Sequence, residues 1–136
     1  METRQYTLID SNLIIGLLRS ETKAKSVLDS FDDGLLCISE ITEMEVLIGC
    51  NTVKKRKEVE EKLGVYNIVD INRDVIEKTI SLIKRYSHTR LKNDRPLMLA
   101  DTMIAASAIH YNLPLLTFNK KDFDFIKELT LHPDGK

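Results

Sequence analysis

Leu97-Met98-Leu99-Ala100-Asp101-Thr102-Met103-Ile104-Ala105-Ala106-Ser107-Ala108-Ile109 reads as a helix that is apolar nearly all round. Such a helix is buried, so other elements must cover it. Ala, Leu and Met form helices readily. Pro96 suits a first helical turn, and Asn93 or Asp94 is placed to cap it. Asp101 is the exception in this stretch. Acids are almost never fully buried unless they are paired or bound to a metal. Asp101 therefore either complements the helix N-terminus or faces a site.

Working outward, Asn112-Leu113-Pro114 breaks this helix, and Leu115-Leu116-Thr117-Phe118 follows as a strand. Asp122 to Lys127 forms a short helical turn, and Leu129-Thr130-Leu131 reads as an edge strand. Upstream, Val75 to Tyr86 is helical, and the polar, basic Ser87 to Arg95 is expected as a loop. Nearer the start, Tyr6 to Ile9 is a strand, Asp10-Ser11-Asn12 offers capping side chains, and Leu13 to Leu18 continues as a helix. A second amphipathic helix spans Glu21 to Phe31. Leu35 to Ile38 is a continuous apolar run, as in a strand buried on both faces. Ser39 can cap a helix through Ile48. Lys54 to Lys62 carries opposite charges four residues apart, the pattern of a solvated helix face, and Val65 to Val69 is a further strand. Strands alternate with helices, and the strands are apolar runs. The expectation is an α/β fold with a mostly parallel sheet covered by helices on both faces.

The chain has 136 residues, 43% hydrophobic and 30% charged, which suits one globular domain over residues 1–136. A formal net charge of -1 gives no global sign of nucleic-acid binding, so any such role needs a local basic patch. Cys37 and Cys50 lack CxxC spacing and read as reduced packing residues. No basic-then-apolar leader and no membrane-length apolar run is present in the sequence, so a soluble cytoplasmic protein is expected. His88, His110 and His132 are dispersed, and no GxSxG, GxxxxGK[ST] or GxGxxG occurs.

In an open parallel sheet, ligands bind in the crevice outside the carboxyl ends of the strands. Asp10 directly follows the first strand, and Glu45 lies near the start of the helix after the second. Asp101 comes early in its helix, and Asn119 and Asp122 follow the fourth strand. Four acids distant in sequence are thus expected to converge. Each also has a plain reading: Asp10 as a helix cap, Glu45 as the end of a Thr42-x-x-Glu45 capping box, Asp122 and Asp124 as surface acids. Against the capping box, Ile41 and Ile48 flank Glu45 on one helical face, which places it beside the core. Two carboxylates ~4 Å apart repel by about 4 kcal/mol at an effective dielectric near 20. Such a cluster must raise some pKa values or bind a cation. All-oxygen ligands suit Mg²⁺ or Mn²⁺ and not zinc.

These motifs resemble those of PIN domains, and specifically of VapC-like toxins of bacterial toxin–antitoxin systems. The matching segments are Leu8-Ile9-Asp10-Ser11-Asn12, Ile38 to Gly49, Leu99 to Ala108, and Leu115-Leu116-Thr117-Phe118-Asn119-Lys120-Lys121-Asp122-Phe123, in family order. The resemblance implies a three-layer α/β/α sandwich around a mostly parallel sheet, here of four to five strands. It implies a Mg²⁺- or Mn²⁺-dependent endoribonuclease acting on structured RNA such as tRNA, dimeric and inhibited by a small cognate antitoxin. Asp10, Glu45 and Asp101 match the family's core acids, and Asp122 matches its last acid. All four are then metal ligands. Asn119, Thr117 and Ser11 support them, Thr117 by hydrogen-bonding a carboxylate. The implied antitoxin groove has plausible walls among Leu13 to Leu18 and Val27 to Phe31.

Residues 84–95 hold Lys84, Arg85, Arg90, Lys92 and Arg95 against one acid, Asp94. These basic side chains, Arg90, Lys92 and Arg95 foremost, are expected either to contact RNA phosphates or to line a solvated loop. A complete acid set favours catalysis over a non-catalytic RNA- or protein-binding domain of the same fold. Phosphotransfer or phosphatase chemistry on this architecture is the third reading.

Overall fold

The computed structural model describes residues 5–92 and 95–134. Strand β1 (Thr7–Ile9) leads into α1 (Ser11–Leu18) and α2 (Thr22–Asp29). Strand β2 (Leu36–Ser39) is followed by α3 (Glu40–Ile48) and α4 (Val53–Leu63), and β3 (Asn67–Val69) by α5 (Arg73–Lys92). Then come α6 (Leu99–His110), β4 (Leu115–Leu116) and a 3₁₀ turn at Lys120–Asp122. The four strands are all parallel in the order β3-β2-β1-β4. The expected fifth strand is reduced to one bridge, Leu115 with Leu131. Among the described residues, no helix is long and apolar enough to cross a membrane.

The apolar strand runs are explained by two cores, one on each face of the sheet. Side chains alternate across a strand, and consecutive residues go to opposite clusters. Leu8, Cys37 and Leu115 join Val75, Leu82, Ile104 and Ala105 from α5 and α6. Ile9, Ile38 and Leu116 join Leu13, Ile14, Leu28, Val46 and Val59 from α1 to α4. Both faces are therefore covered, giving three layers. In α6 the buried side of the helix is largely Ala105, Ala106, Ser107 and Ala108, small enough for close approach to its neighbours. Gly16 plays a similar part between α1 and α2, where an added Cβ would lie 3.1 Å from the Cβ of Ala24. Asn112 ends α6 in the left-handed region at φ 56, while Leu113 N–H donates to Ala108 O at 2.8 Å.

Three sequence expectations are corrected. Helix α5 extends to Lys92, so Ser87 to Lys92 is helical rather than loop. No Gly or Pro interrupts that stretch, and Tyr86 is anchored by its hydroxyl donating to Glu128 at 2.7 Å. Helix α6 starts at Leu99 with Met98 in the cap position, so Pro96 precedes the helix. The proposed caps Asn93 and Asp94 lie outside the described residues. Ile48 does not flank a buried Glu45, because its side chain is 85% exposed.

Candidate active site

The strand order places a switch point at β1: the chain moves from β1 to β2 on one side, and β4 lies on the other. Ligand crevices form where the order reverses, at the carboxyl ends of the strands. Asp10 follows β1 and Thr117 follows β4 at that edge. The backbones are tied there by Asp10 N–H donating to Leu116 O at 2.9 Å.

Asp10 occupies the N-cap position of α1, yet its side chain makes no capping hydrogen bond. The plain capping reading therefore fails. Asp10 is only 1% exposed. Its Oδ2 accepts a 2.7 Å hydrogen bond from the Thr117 hydroxyl, while Oδ1 is buried and unpartnered among the described residues. Burial pushes its pKa up, the Thr117 hydroxyl and the Ser11 backbone N–H oppose this, and the charges of Glu45 and Asp122 push further upward.

Asp101 stands in the first turn of α6, half-buried. Interaction with the helix N-terminus would favour its charged form. Instead its pKa is pushed up to about 6, first by burial and then by Asp10, Asp122 and Glu45. The apolar helix holds this carboxylate among other acids.

Glu45 lies inside α3, whose cap is Ser39: the Ser39 hydroxyl accepts from Ile41 N–H at 3.1 Å. A Thr42–Glu45 capping box is thereby excluded. Thr42 is instead fully buried and shares a 2.8 Å hydrogen bond with the Ser11 hydroxyl. Ser11 also donates to Glu45 Oε1 at 2.8 Å. Thr42 sits three residues before Glu45 on the same helical face, a spacing visible in the sequence, although its partner Ser11 is not.

Asp122 is exposed at the end of the 3₁₀ turn, and its charge acts on both Asp10 and Asp101. Beyond burial, the upward shifts of Asp10 and Asp101 arise from neighbouring acids that include Asp122 and Glu45 and not Asp124. Asn119 is exposed, and its backbone N–H donates to the Thr117 hydroxyl at 3.0 Å. Arg90 is half-buried and lines a narrow cleft together with Asp101 and Asp122. Phe125, missed in the sequence, lines the same cleft, with the Arg90 guanidinium 4.1 Å from its ring centroid. Arg95 is exposed. The Lys92 side chain lies outside what the structure describes.

Asp10, Glu45, Asp101 and Asp122 thus come from four elements to one edge and act on one another through space. Among the described residues, no three His, Cys, Asp or Glu side chains already form a closed metal-binding set. The donors are nevertheless all oxygen, and one buried carboxylate oxygen lacks a partner. That chemistry fits a hard divalent cation. Thr117→Val removes the donor that orients Asp10. It should lower turnover by roughly 10- to 100-fold, as loss of such an outer partner does. Thr117→Ser should retain activity, and equal rates for Thr117→Val and wild type would refute the role.

Comparison with known proteins agrees with this fold. The chain is 28% identical over 129 residues to a curated protein named Ribonuclease VapC from Rickettsia bellii, covering 90% of this chain and 91% of that one. A toxin–antitoxin complex from Klebsiella pneumoniae contains a chain 31% identical, with a TM-score of 0.75 over 91% of this chain and 95% of that chain. A chain of VapBC-1 from nontypeable Haemophilus influenzae is 25% identical, with a TM-score of 0.74 over 97% of this chain and 100% of its own length. The PIN domain profile matches residues 7–129, nearly the whole chain. With its parallel α/β sheet and the acids gathered at the end of β1, this chain belongs to the PIN domain family.

Proposed function

We propose that this protein is a Mg²⁺- or Mn²⁺-dependent endoribonuclease, the toxin of a toxin–antitoxin pair acting in the cytoplasm. The observation that carries the reading is Asp10: buried, raised in pKa, with one free oxygen, and grouped with Glu45, Asp101 and Asp122. Relatives named as a VapC ribonuclease and as toxin–antitoxin complexes support the same conclusion.

Asp10, Asp101, Glu45 and Asp122 would hold the ion. Bound there, a divalent cation supplies Lewis-acid stabilisation of phosphoryl charge and lowers the pKa of a water. The chain's own residues orient the site. Thr117 fixes one oxygen of Asp10, leaving the other free. Ser11 and Thr42 fix Glu45 through one hydrogen-bonded chain. The body of α6 positions Asp101 against the sheet. Side chains locked in this way hold a site to the tolerance that catalysis requires.

A groove beside Glu45 has apolar walls from Ile15 and Leu18 of α1, Val46 of α3, Cys50 just after α3 and Val59 of α4, with Arg19 and Lys55 also lining it. It is the natural seat for an apolar antitoxin segment. Its walls come from α1, α3 and α4, while Leu13 and Ile14 of α1 are fully buried and face away from it. A homodimer belongs to the same reading: Ile76 and Ile80 of α5, with Met98 and Leu99, are exposed apolar residues available for a subunit contact.

The test is incubation of purified protein with unstructured RNA and with tRNA in Mg²⁺ or Mn²⁺. Endonucleolytic products are expected. Folded protein that cuts no RNA in either metal would overturn the reading in favour of a binding domain. Phosphate release from small phosphoesters alone would favour a phosphatase.

A further inference from the structure

Arg90 is a cation that shares a cleft with two carboxylates and pairs with neither. It sits near the end of α5, half-buried, and lines the cleft with Asp101, Asp122 and Phe125. Burying part of a guanidinium is costly unless its N–H groups find acceptors. The usual remedy is a nearby acid. Five residues earlier on the same helix, Arg85 takes it, with Nη1 3.5 Å from Glu128. Among the described residues, Arg90 makes no ion pair, and its Nε is buried with no hydrogen-bond partner.

Phe125 accounts for the position of Arg90. The guanidinium carbon lies 4.1 Å from the centre of its ring, a distance suited to cation–π stacking. The ring holds the guanidinium in place, and a ring face accepts no committed hydrogen bond from its N–H groups. The Arg90 backbone carbonyl accepts from Arg95 N–H at 2.9 Å. A planar cation, oriented but unsatisfied, stands beside an acidic cluster.

We infer that Arg90, held in orientation by the Phe125 ring, binds a backbone phosphate of the RNA substrate at the rim of the acid cluster. This rests on the ribonuclease reading and adds a positive anchor to a site otherwise made of acids. Acids repel a polyanion, so the strand needs a cationic contact on the protein's own surface as well as any ion in the cluster. A guanidinium suits this task, because its donors form a fork that matches phosphate oxygens. Asp101 and Asp122 line the same cleft, so the phosphate held is one close to the reacting position. Arg90 is a binding residue for substrate, and Phe125 is the residue that positions it.

The experiment measures steady-state cleavage of an unstructured RNA oligonucleotide in Mn²⁺. Binding of the same RNA is measured in EDTA across a salt series. The proteins are wild type, Arg90→Gln, Arg90→Lys, Phe125→Leu, the Arg90→Gln/Phe125→Leu double variant, and Lys62→Gln as an equal charge change at an exposed position of α4. Arg90→Gln should raise KM roughly 10-fold, the usual scale for losing a hydrogen bond to a charged group, with kcat little changed. Its salt slope for binding should fall by about 0.7, one phosphate contact on a single strand. Arg90→Lys should recover the slope but only part of KM, because lysine lacks the planar fork. Phe125→Leu should raise KM by roughly 2- to 5-fold, the scale of one cation–π contact, and add nothing in the Arg90→Gln background. Lys62→Gln should leave KM and slope near wild type. If Arg90→Gln matches Lys62→Gln, or if the Phe125 effect adds to that of Arg90, the inference is overturned while the nuclease reading stands. A folded wild type that neither binds nor cuts RNA overturns both.

Discussion

Replacing Asp101 with Asn is expected to lower RNA cleavage by more than about 100-fold, beyond the cost usual for losing an outer partner of a metal ligand. The fold should not suffer. Asp101 sits in the first turn of α6 with its pKa pushed up to about 6 by burial and by Asp10, Asp122 and Glu45. Neutralising it removes repulsion, so the metal-free melting temperature should hold or rise. The same pairing of lost activity with retained stability is expected for Asp10→Asn. Functional groups of this kind are strained in the folded state and persist because surrounding packing over-determines them. Asp124→Asn should change cleavage less than 2-fold, because Asp122 and not Asp124 is the nearby acid whose charge reaches Asp10 and Asp101. Rates and thermal melts of the purified variants check all three. An active Asp101→Asn protein, or one that loses activity only because it unfolds, would contradict the assignment.

Chelation is expected to abolish cleavage, and the metal-free protein should lose stability as pH rises from 4 toward 7. A carboxylate with a native pKa above its unfolded value binds more protons in the folded state across the window between the two. Stability is then fully present below the unfolded value and falls through the window. For Asp101 the window runs from 3.8 to about 6, and Asp10 shifts in the same direction. Discounted for the solvent access of Asp101, its effect is on the order of 1 kcal/mol, roughly 3–5 °C in melting temperature for a chain of this size. Mn²⁺ or Mg²⁺ at pH 7.5 should restore the loss by offsetting the charges, since a ligand that binds only the native state stabilises it. Asp10→Asn and Asp101→Asn should each blunt both the pH slope and the metal response. The same pH slope in wild type and in Asp101→Asn would mean that other groups carry it.

The sequence on its own determined the alternation of strands and helices and the parallel, doubly covered sheet. Leu35 to Ile38 and Leu115-Leu116 are apolar without alternation, and that is legible because strands buried on both faces need it. It also determined which acids could share a site, since residues that follow parallel strands leave the sheet at one edge. The extent of α5 was not legible. A polar run such as Ser87 to Lys92 carries no periodic signal, and packing of Tyr86 and the absence of Gly or Pro decide its helicity. Tertiary structure alone decided how the acids are held. The Thr117 hydroxyl meets Asp10 across 107 residues, and Ser11 joins Thr42 to Glu45 across more than 30. The Arg90–Phe125 stack joins the end of α5 to the segment after Asp122. Hydrophobic periodicity reports burial, which is local in the chain. Hydrogen-bond partners, stacking and the mutual repulsion of carboxylates depend on through-space distance, which only the folded chain sets.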